Sequence, residues 1–350
     1  MTIQQLNIFH ETIGGGTKMV EFTPADTQDI SSPAGSVVEV KGLTKQFGDQ
    51  VAVDQISFSM PRGSIFGFIG PSGCGKTTTV RLLTGIYKPT GGEAVVLDCA
   101  PDKFSQADRE NIGYMPQNFV LYPDLTVWEN LSFAASIYGL GLKRRKRLND
   151  LLDFVELQDH KRKLARNISG GMMRRLSLAA ALVHEPELLF LDEPTAGIDP
   201  VLRRKFWDYF ETLSEAGTTL FIATQYVSEA AYCDLVGVMN RGRLLMVDTP
   251  DGLMRSALGG EVIDLRTDGP IDYLVLKDME QLPFVTGQIN RVDPHEVRIL
   301  VEAAETALPA LVDWCRSRDV SIESVQAYQP PFDDVFVSLI ERFNRNESDL

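Results

Sequence analysis

Gly70-Pro71-Ser72-Gly73-Cys74-Gly75-Lys76-Thr77 places three glycines, a lysine and a hydroxyl where together they can grip phosphate oxygens. The spacing G-x-x-x-x-G-K-[ST] lets backbone N–H groups converge on an anion, because no Cβ stands in the way. A helix opening at the end of the loop adds its positive N-terminal pole. In such a loop Lys76 reaches the β- and γ-phosphates and the Thr77 hydroxyl binds Mg²⁺. Ser72, Gly73, Cys74, Gly75 and Thr78 would complete the cradle. A chance glycine-rich turn needs neither an apolar strand before it nor a helix after it, and residues 65–69 and 77–83 have those two patterns.

Leu188-Leu189-Phe190-Leu191-Asp192-Glu193 is a buried-strand pattern ending in two carboxylates. Strand ends of this kind open onto the crevice where α/β sheets bind ligands. Asp192 is expected to hold Mg²⁺ and Glu193 to orient the attacking water, since phosphoryl transfer depends chiefly on positioning and charge neutralisation. An acidic strand end facing solvent is common in isolation; downstream of a phosphate loop the catalytic reading is preferred.

The elements that must position these residues alternate. Residues 55–60 follow a half-buried strand pattern, and 65–69, 188–191 and 220–223 are short apolar runs of the kind covered on both faces in a parallel sheet. Between them, 77–83, 172–183 and 203–215 read as helices, the last with Phe206, Tyr209, Phe210 and Leu213 on one face and Gly217 at its end. Residues from about 118 to 183 form a helical insert. The order is that of an α/β protein. From residue 261 a second pattern reads strand (261–266), helix (271–280), strand (284–290), strand (295–301), helix (303–317), strand (319–326) and a last helix from Asp333. This β-α-β-β-α-β order predicts a small ferredoxin-like α+β domain over 256–350. Residues 1–35, polar and punctuated by Gly14-Gly15-Gly16 and Pro33, read as a flexible extension.

Lys+Arg number 34 against Asp+Glu 48, a net charge of −14, which argues against sequence-independent binding to nucleic acid. The run Lys143-Arg144-Arg145-Lys146-Arg147 is then better read as a solvated face than as a nucleic-acid patch. Four scattered cysteines and four histidines make no ligand cluster and no disulfide framework. No apolar stretch approaches the roughly 18–20 residues of a membrane span. The N-terminus has no apolar core and no arginine before Arg62, so no signal peptide is expected.

These two motifs alone would also fit a kinase, a GTPase or a helicase. Asn167-Ile168-Ser169-Gly170-Gly171-Met172 separates them. With this segment the chain resembles the ATP-binding cassette family, whose signature reads L-S-G-G-Q. The resemblance covers about residues 36–250 in the family's order. It runs from Phe47 through the phosphate loop, Gln117 in Met115-Pro116-Gln117, the signature and Asp192-Glu193 to Ala196-Gly197-Ile198-Asp199. It implies a P-loop NTPase cassette over 36–255, with an antiparallel β subdomain and the helical insert, that takes ATP and Mg²⁺. Ser169, Gly170 and Gly171 at a helix start would hold the phosphate bound by a second protomer, itself or a sister subunit. Lys76 and Glu193 would act in hydrolysis. Phe47 would stack on adenine, although a core aromatic fits as well. Gln117 would reach Mg²⁺ and water, although an ordinary loop amide fits the same position. Phe119, Leu121, Tyr122 and Trp128 would face a multi-span membrane permease, and packing within the insert accounts for them equally well. The chain would then sit at the cytoplasmic face of the membrane, held by that permease.

Two positions depart from the pattern. Met172 replaces the usual Gln, and Gln225 in Thr224-Gln225-Tyr226 stands where a histidine normally contacts the γ-phosphate. A glutamine amide donates a hydrogen bond but has no proton that titrates near neutral pH. Ser-Gly-Gly-Met-x-Arg-Arg, Thr-Gln-Tyr and the tail Pro331-Phe332-Asp333-Asp334-Val335-Phe336 resemble the cassettes of daunorubicin-resistance-type exporters, which work with ABC-2 membrane subunits. The alternative is a soluble ATPase acting on ribosomes or nucleic acid. Such proteins carry two cassettes or a long coiled coil; this chain has one cassette and no sustained heptads between Lys76 and Asp192. A purely regulatory nucleotide binder would not need Glu193. A mixed α/β tail favours export over the all-β tail frequent in sugar importers.

Overall fold

The computed structural model describes residues 35–141, 144–287 and 289–348. The expected extension over residues 1–35 lies outside them apart from Gly35, as does Lys143 of the basic run. The described chain divides into two compact units, one ending at Pro250 and the other beginning at Asp251.

In the first unit, β1 (Ser36–Phe47) and β2 (Gln50–Pro61) form a long hairpin, its turn made by Gly48 at φ 55°. There follow β3 (Ile65–Ile69), α1 (Lys76–Leu83), β4 (Gly91–Val96), α2 (Gln106–Glu110) and β5 (Ile112–Met115). Next come α3 (Val127–Ile137), α4 (Arg145–Phe154), α5 (Gly170–Ala181), β6 (Leu188–Asp192), α6 (Pro200–Glu215) and β7 (Thr219–Thr224). A second hairpin, β8 (Leu235–Asn240) and β9 (Arg243–Asp248), is the last of the first unit's strands; α7 (Pro250–Leu258) belongs to the second unit from Asp251 on.

Two sheets result. One is antiparallel in the order β2-β1-β4; the other has the order β5-β6-β7-β3-β8-β9 and is parallel except for β9. The apolar runs of β3, β6 and β7 are buried at every residue, which is why they do not alternate. The sheets meet through aromatic rings: Phe58 of β2 stacks on Phe66 of β3 at 5.3 Å, and Phe66 on Phe221 of β7 at 5.4 Å. Burying each such ring contributes about 1.5–3 kcal/mol. This packing fixes β3, β7 and β6 side by side, so the phosphate loop after β3 and the carboxylates ending β6 open at the same edge of the sheet.

Among the described residues no strand lies between Met115 and Leu188. Thr126 and Glu129 form a reciprocal capping box at the start of α3. The basic run is not simply a solvated face. Arg144 donates to the Leu140 carbonyl and the Ser132 hydroxyl, and Arg147 to the Leu182 carbonyl, tying the ends of α3 and α5 to α4. Only Arg145 and Lys146 of the described four are exposed. Gly217, with φ 96°, follows the Ala216 cap of α6, the position after a helix C-terminus that favours glycine.

The second unit contains β10 (Glu261–Thr267), α8 (Tyr273–Met279), β11 (Asn290–Arg291), β12 (Glu296–Val301), α9 (Ala304–Ser317), β13 (Ile322–Tyr328) and α10 (Phe332–Ser348). Its sheet is antiparallel in the order β11-β12-β10-β13. Ile263, Leu265, Val297, Ile299 and Val301 pack with Ala307, Leu311 and Cys315 of α9. The strand expected over 284–290 shrinks to Asn290–Arg291 and a lone bridge between Val285 and Val301. Pro283 cannot donate to a ladder and Gly287 weakens the run. Among the described residues no helix is long and apolar enough to cross a membrane.

Candidate functional site

The loop after β3 is shaped by close backbone approach. Gly75 has φ 115°, and a Cβ there would lie 2.4 Å from the Ala52 carbonyl oxygen. Gly73, at φ 78°, has open space where its Cβ would go. Gly70 could carry no side chain either, because the Met239 carbonyl oxygen is 2.2 Å from that point. Cys74 is buried, and burial pushes its thiol pKa up. Ser72 is exposed at the loop's rim, and Thr78 is half-buried on α1.

Lys76 begins α1 and is almost wholly buried. Its ammonium donates to the carbonyls of Gly70 at 2.8 Å and Pro71 at 3.2 Å, and lies 3.4 Å from Glu193 Oε1. The Thr77 hydroxyl donates to Asp192 Oδ1 at 3.0 Å. Asp192 is fully buried and its second oxygen, Oδ2, has no hydrogen-bond partner. Burial pushes the Asp192 carboxyl above its ordinary range; the Thr77 hydrogen bond opposes this and the Glu193 charge adds to it.

Glu193 turns out of β6 in the left-handed region at φ 52°. Its N–H donates to the Ala223 carbonyl at 2.8 Å, and its Oε2 accepts the backbone N–H of Gln225 at 3.2 Å. Lys76, Thr77, Asp192, Glu193 and the Gln225 backbone therefore form one cluster at the ends of β3, β6 and β7. The Gln225 side chain is exposed.

Other residues singled out in the sequence stand apart from that cluster. Phe47 is 45% exposed, edge-on to Tyr87 at 5.4 Å, with the Lys45 ammonium 5.0 Å from its ring. It is not a core aromatic. Gln117 is exposed, and its carbonyl accepts from Arg174 at 2.8 Å. Ser169 caps α5 by accepting the Met172 N–H at 3.3 Å, and leaves Gly170 exposed. Ser169 and Gly171 line a cavity of about 430 Å³ with Gly197, Asp199, Arg175 and Lys205. Asp199 caps α6, accepting the N–H groups of Val201 and Leu202 at 3.0 Å.

Sequence reasoning missed Arg174. It is buried on α5, its guanidinium lies 4.8 Å from the Phe119 ring, and burial lowers its pKa while the charges of Glu193 and Asp192 hold it up. Arg81 was missed too: it donates to the Tyr87 hydroxyl at 3.0 Å, bonds to Tyr114, and its charge lowers the Asp192 pKa. Arg174 stood in the Ser-Gly-Gly-Met-x-Arg-Arg segment without a role assigned to it, and for Arg81 the available signal was a charged residue interrupting an apolar helix face.

A family model described as ABC transporter matches residues 53–196. A probable multidrug ABC transporter ATP-binding protein of Escherichia coli is 40% identical over 234 residues, covering 67% of this chain and 40% of that protein. The chain thus spans well under half of that relative's length. A linearmycin resistance ATP-binding protein of Bacillus subtilis is 31% identical over 316 residues, covering 89% of this chain and 100% of its own. A daunorubicin resistance ATP-binding protein of Streptomyces coeruleorubidus is 36% identical over 310 residues, covering 87% and 96%. Among solved structures, an ATP-binding subunit of an ABC transporter superposes with a TM-score of 0.58 at 27% identity, over 63% of this chain and 92% of that one. A dimeric cassette in a post-hydrolysis state bound to ADP and Pi gives 0.57 at 26% identity, over 61% and 98%.

Proposed function

The chain belongs to the ABC transporter family, and from that premise we propose that it binds and hydrolyses ATP to drive export through a separately encoded membrane subunit. One observation carries the reading: the Thr77–Asp192 hydrogen bond lies beside a buried Lys76–Glu193 pair. A polyphosphate laid on the loop meets N–H groups, an ammonium, a hydroxyl and two carboxylates in one crevice.

Each residue then has a task. Backbone N–H groups of the loop and the start of α1 take the β- and γ-phosphates, and Lys76 exchanges its carbonyl partners for phosphate oxygens. Asp192 Oδ2, buried without a partner, and the Thr77 hydroxyl beside it are hard oxygen donors that fit Mg²⁺, with Gln117 as a further ligand. When bound, the ion neutralises phosphate charge. Glu193 orients the attacking water while the Gln225 N–H and Lys76 hold its two oxygens. The exposed Gln225 amide donates to the γ-phosphate. Phe47 stacks on adenine, and its exposure supports that role over core packing.

Ser169, Gly170 and Gly171, at the exposed N-terminus of α5, hold the phosphate of a second cassette, a copy of this chain or a sister subunit. The dimeric relative supports this arrangement. Of Phe119, Leu121, Tyr122 and Trp128, Phe119 and Tyr122 are exposed and Leu121 and Trp128 half-buried; the two exposed rings, with exposed Val120, Phe133 and Ile137 nearby in sequence, are the residues suited to a multi-span permease. The chain then lies at the cytoplasmic face of the membrane, with residues 36–255 as the cassette and 256–350 as an accessory domain. The resistance proteins among its relatives support export.

The test is to tag the full chain, solubilise membranes gently and identify what co-purifies with ATP present, while comparing turnover with Glu193→Gln. A multi-span membrane protein and Glu193-dependent turnover are expected. Ribosomes or nucleic acid with no membrane protein would overturn the transport reading, and turnover no higher than that of Glu193→Gln would overturn the ATPase reading.

A further inference from the structure

The turn after Glu193, the turn after Thr224 and the start of α6 converge on one carboxylate that no motif contains. Glu229 lies on the helical turn Val227–Tyr232 and is fully buried. Its Oε1 accepts the Thr195 hydroxyl at 2.6 Å and lies 3.7 Å from Arg203 Nε. The Thr224 hydroxyl and the Trp207 indole also lie beside it.

Each partner is fastened to the site. Thr195 stands two residues beyond Glu193, in a turn closed by the Ala196 N–H donating to the Glu193 carbonyl at 3.2 Å. The Thr224 hydroxyl accepts the Tyr226 N–H at 3.1 Å, and the Arg203 guanidinium lies 4.1 Å from the Tyr226 ring. Between Thr224 and Tyr226, the Gln225 N–H holds Glu193 Oε2. Arg203 in turn donates its own N–H to the Asp199 carbonyl at 2.9 Å, at the end of the segment Ala196-Gly197-Ile198-Asp199.

At 3.7 Å, and with the Arg203 side chain 28% exposed, the ion pair itself adds little stability. What Glu229 supplies is direction: its backbone N–H donates to the Tyr226 carbonyl at 3.0 Å and its Oε1 accepts from Thr195, so one residue links the two turns, while its Oε2 is buried without a hydrogen-bond partner. We propose that Glu229 is a positioning residue of ATP hydrolysis. With Thr195 and Arg203 it holds the turns that carry Glu193 and Gln225 in register and ties them to residues 196–199. The inference rests on the ATPase reading above.

The experiment uses the full chain and measures kcat and KM for MgATP, Kd for a fluorescent ATP analogue, and Tm. The variants are Glu193→Gln, Glu229→Gln, Thr195→Val, Thr195→Ser and the double variant Thr195→Val/Glu229→Gln. A misplacement near 1 Å costs about 100-fold, so Glu229→Gln and Thr195→Val should each lower kcat by roughly tenfold or more. KM and Kd should stay within about twofold, as expected when only transition-state interactions are lost. Thr195→Ser, which keeps the hydroxyl, restores most of the turnover, and the double variant falls no further than the worse single one. If Glu229→Gln fails to fold, the Thr195 valine and serine pair decides. Native-like kcat in Glu229→Gln and Thr195→Val, with Glu193-dependent turnover intact in the native chain, overturns this inference alone. A native chain that turns over no faster than Glu193→Gln refutes the ATPase reading and this inference with it.

Discussion

The backbone N–H of Gln225 donates to Glu193 Oε2 at 3.2 Å. The residue that stands where the cassette-family pattern has a histidine therefore supports the carboxylate through its main chain, which any side chain would leave in place. Gln225→Ala should keep turnover within about tenfold of native, whereas Glu193→Gln should lose about 100-fold or more, the range for removing a positioned general base. Gln225→His should introduce a pH limb near about 6.5 that the native profile lacks. Steady-state rates from pH 5.5 to 8.5 check all three.

Asp192 is set for a ligand at the expense of the folded state. Burial raises its carboxyl pKa, so the folded chain binds more protons than the unfolded chain as pH rises through the ordinary carboxyl range. Stability then falls as pH rises through the raised pKa, and the cost is fully present above it. Asp192→Asn should raise the metal-free Tm at pH 7 and lose that advantage near pH 4, while abolishing turnover. At roughly 2–4 °C per kcal/mol, calorimetry resolves the change.

Gly73 and Gly75 share a loop but not a constraint. Gly75→Ala drives a methyl into the Ala52 carbonyl and the Met239 side chain, so it should lower stability by about 2–4 kcal/mol and abolish binding. Gly73→Ala meets nothing and carries only left-handed strain, about 1–2 kcal/mol. Its main effect should be on nucleotide affinity. Denaturant midpoints and nucleotide titration separate the two.

Phe47→Ala should raise KM for ATP about tenfold with little change in kcat, since stacking on a base is worth about 1–3 kcal/mol. Phe47→Tyr should bind nearly as tightly as native.

The phosphate loop and the β6 carboxylates were legible because each motif is local: its residues, strand and helix are consecutive. The covered strands were legible for the same reason, since β3, β6 and β7 are continuous apolar runs. What the sequence could not display was pairing across the chain. Arg174 reads as one of two adjacent arginines until its bond to the carbonyl of Gln117, 57 residues earlier, is seen. Arg144 and Arg147 read as solvated until their inward bonds are seen. Thr195 and Glu229, 34 residues apart, carry no spacing that would connect them. The short β11 shows the opposite failure, where a plausible apolar run lost its ladder to Pro283 and Gly287.

The left-handed backbone at Glu193 is a local strain that the charges of the site hold in place. A glycine or asparagine there relaxes the main chain, by about 1 kcal/mol on general grounds, but leaves the buried Lys76 ammonium without its carboxylate, which costs about 3–5 kcal/mol. A library screened only for surviving high temperature should therefore retain Glu193, and directed evolution of this chain towards heat tolerance need not give up its carboxylate.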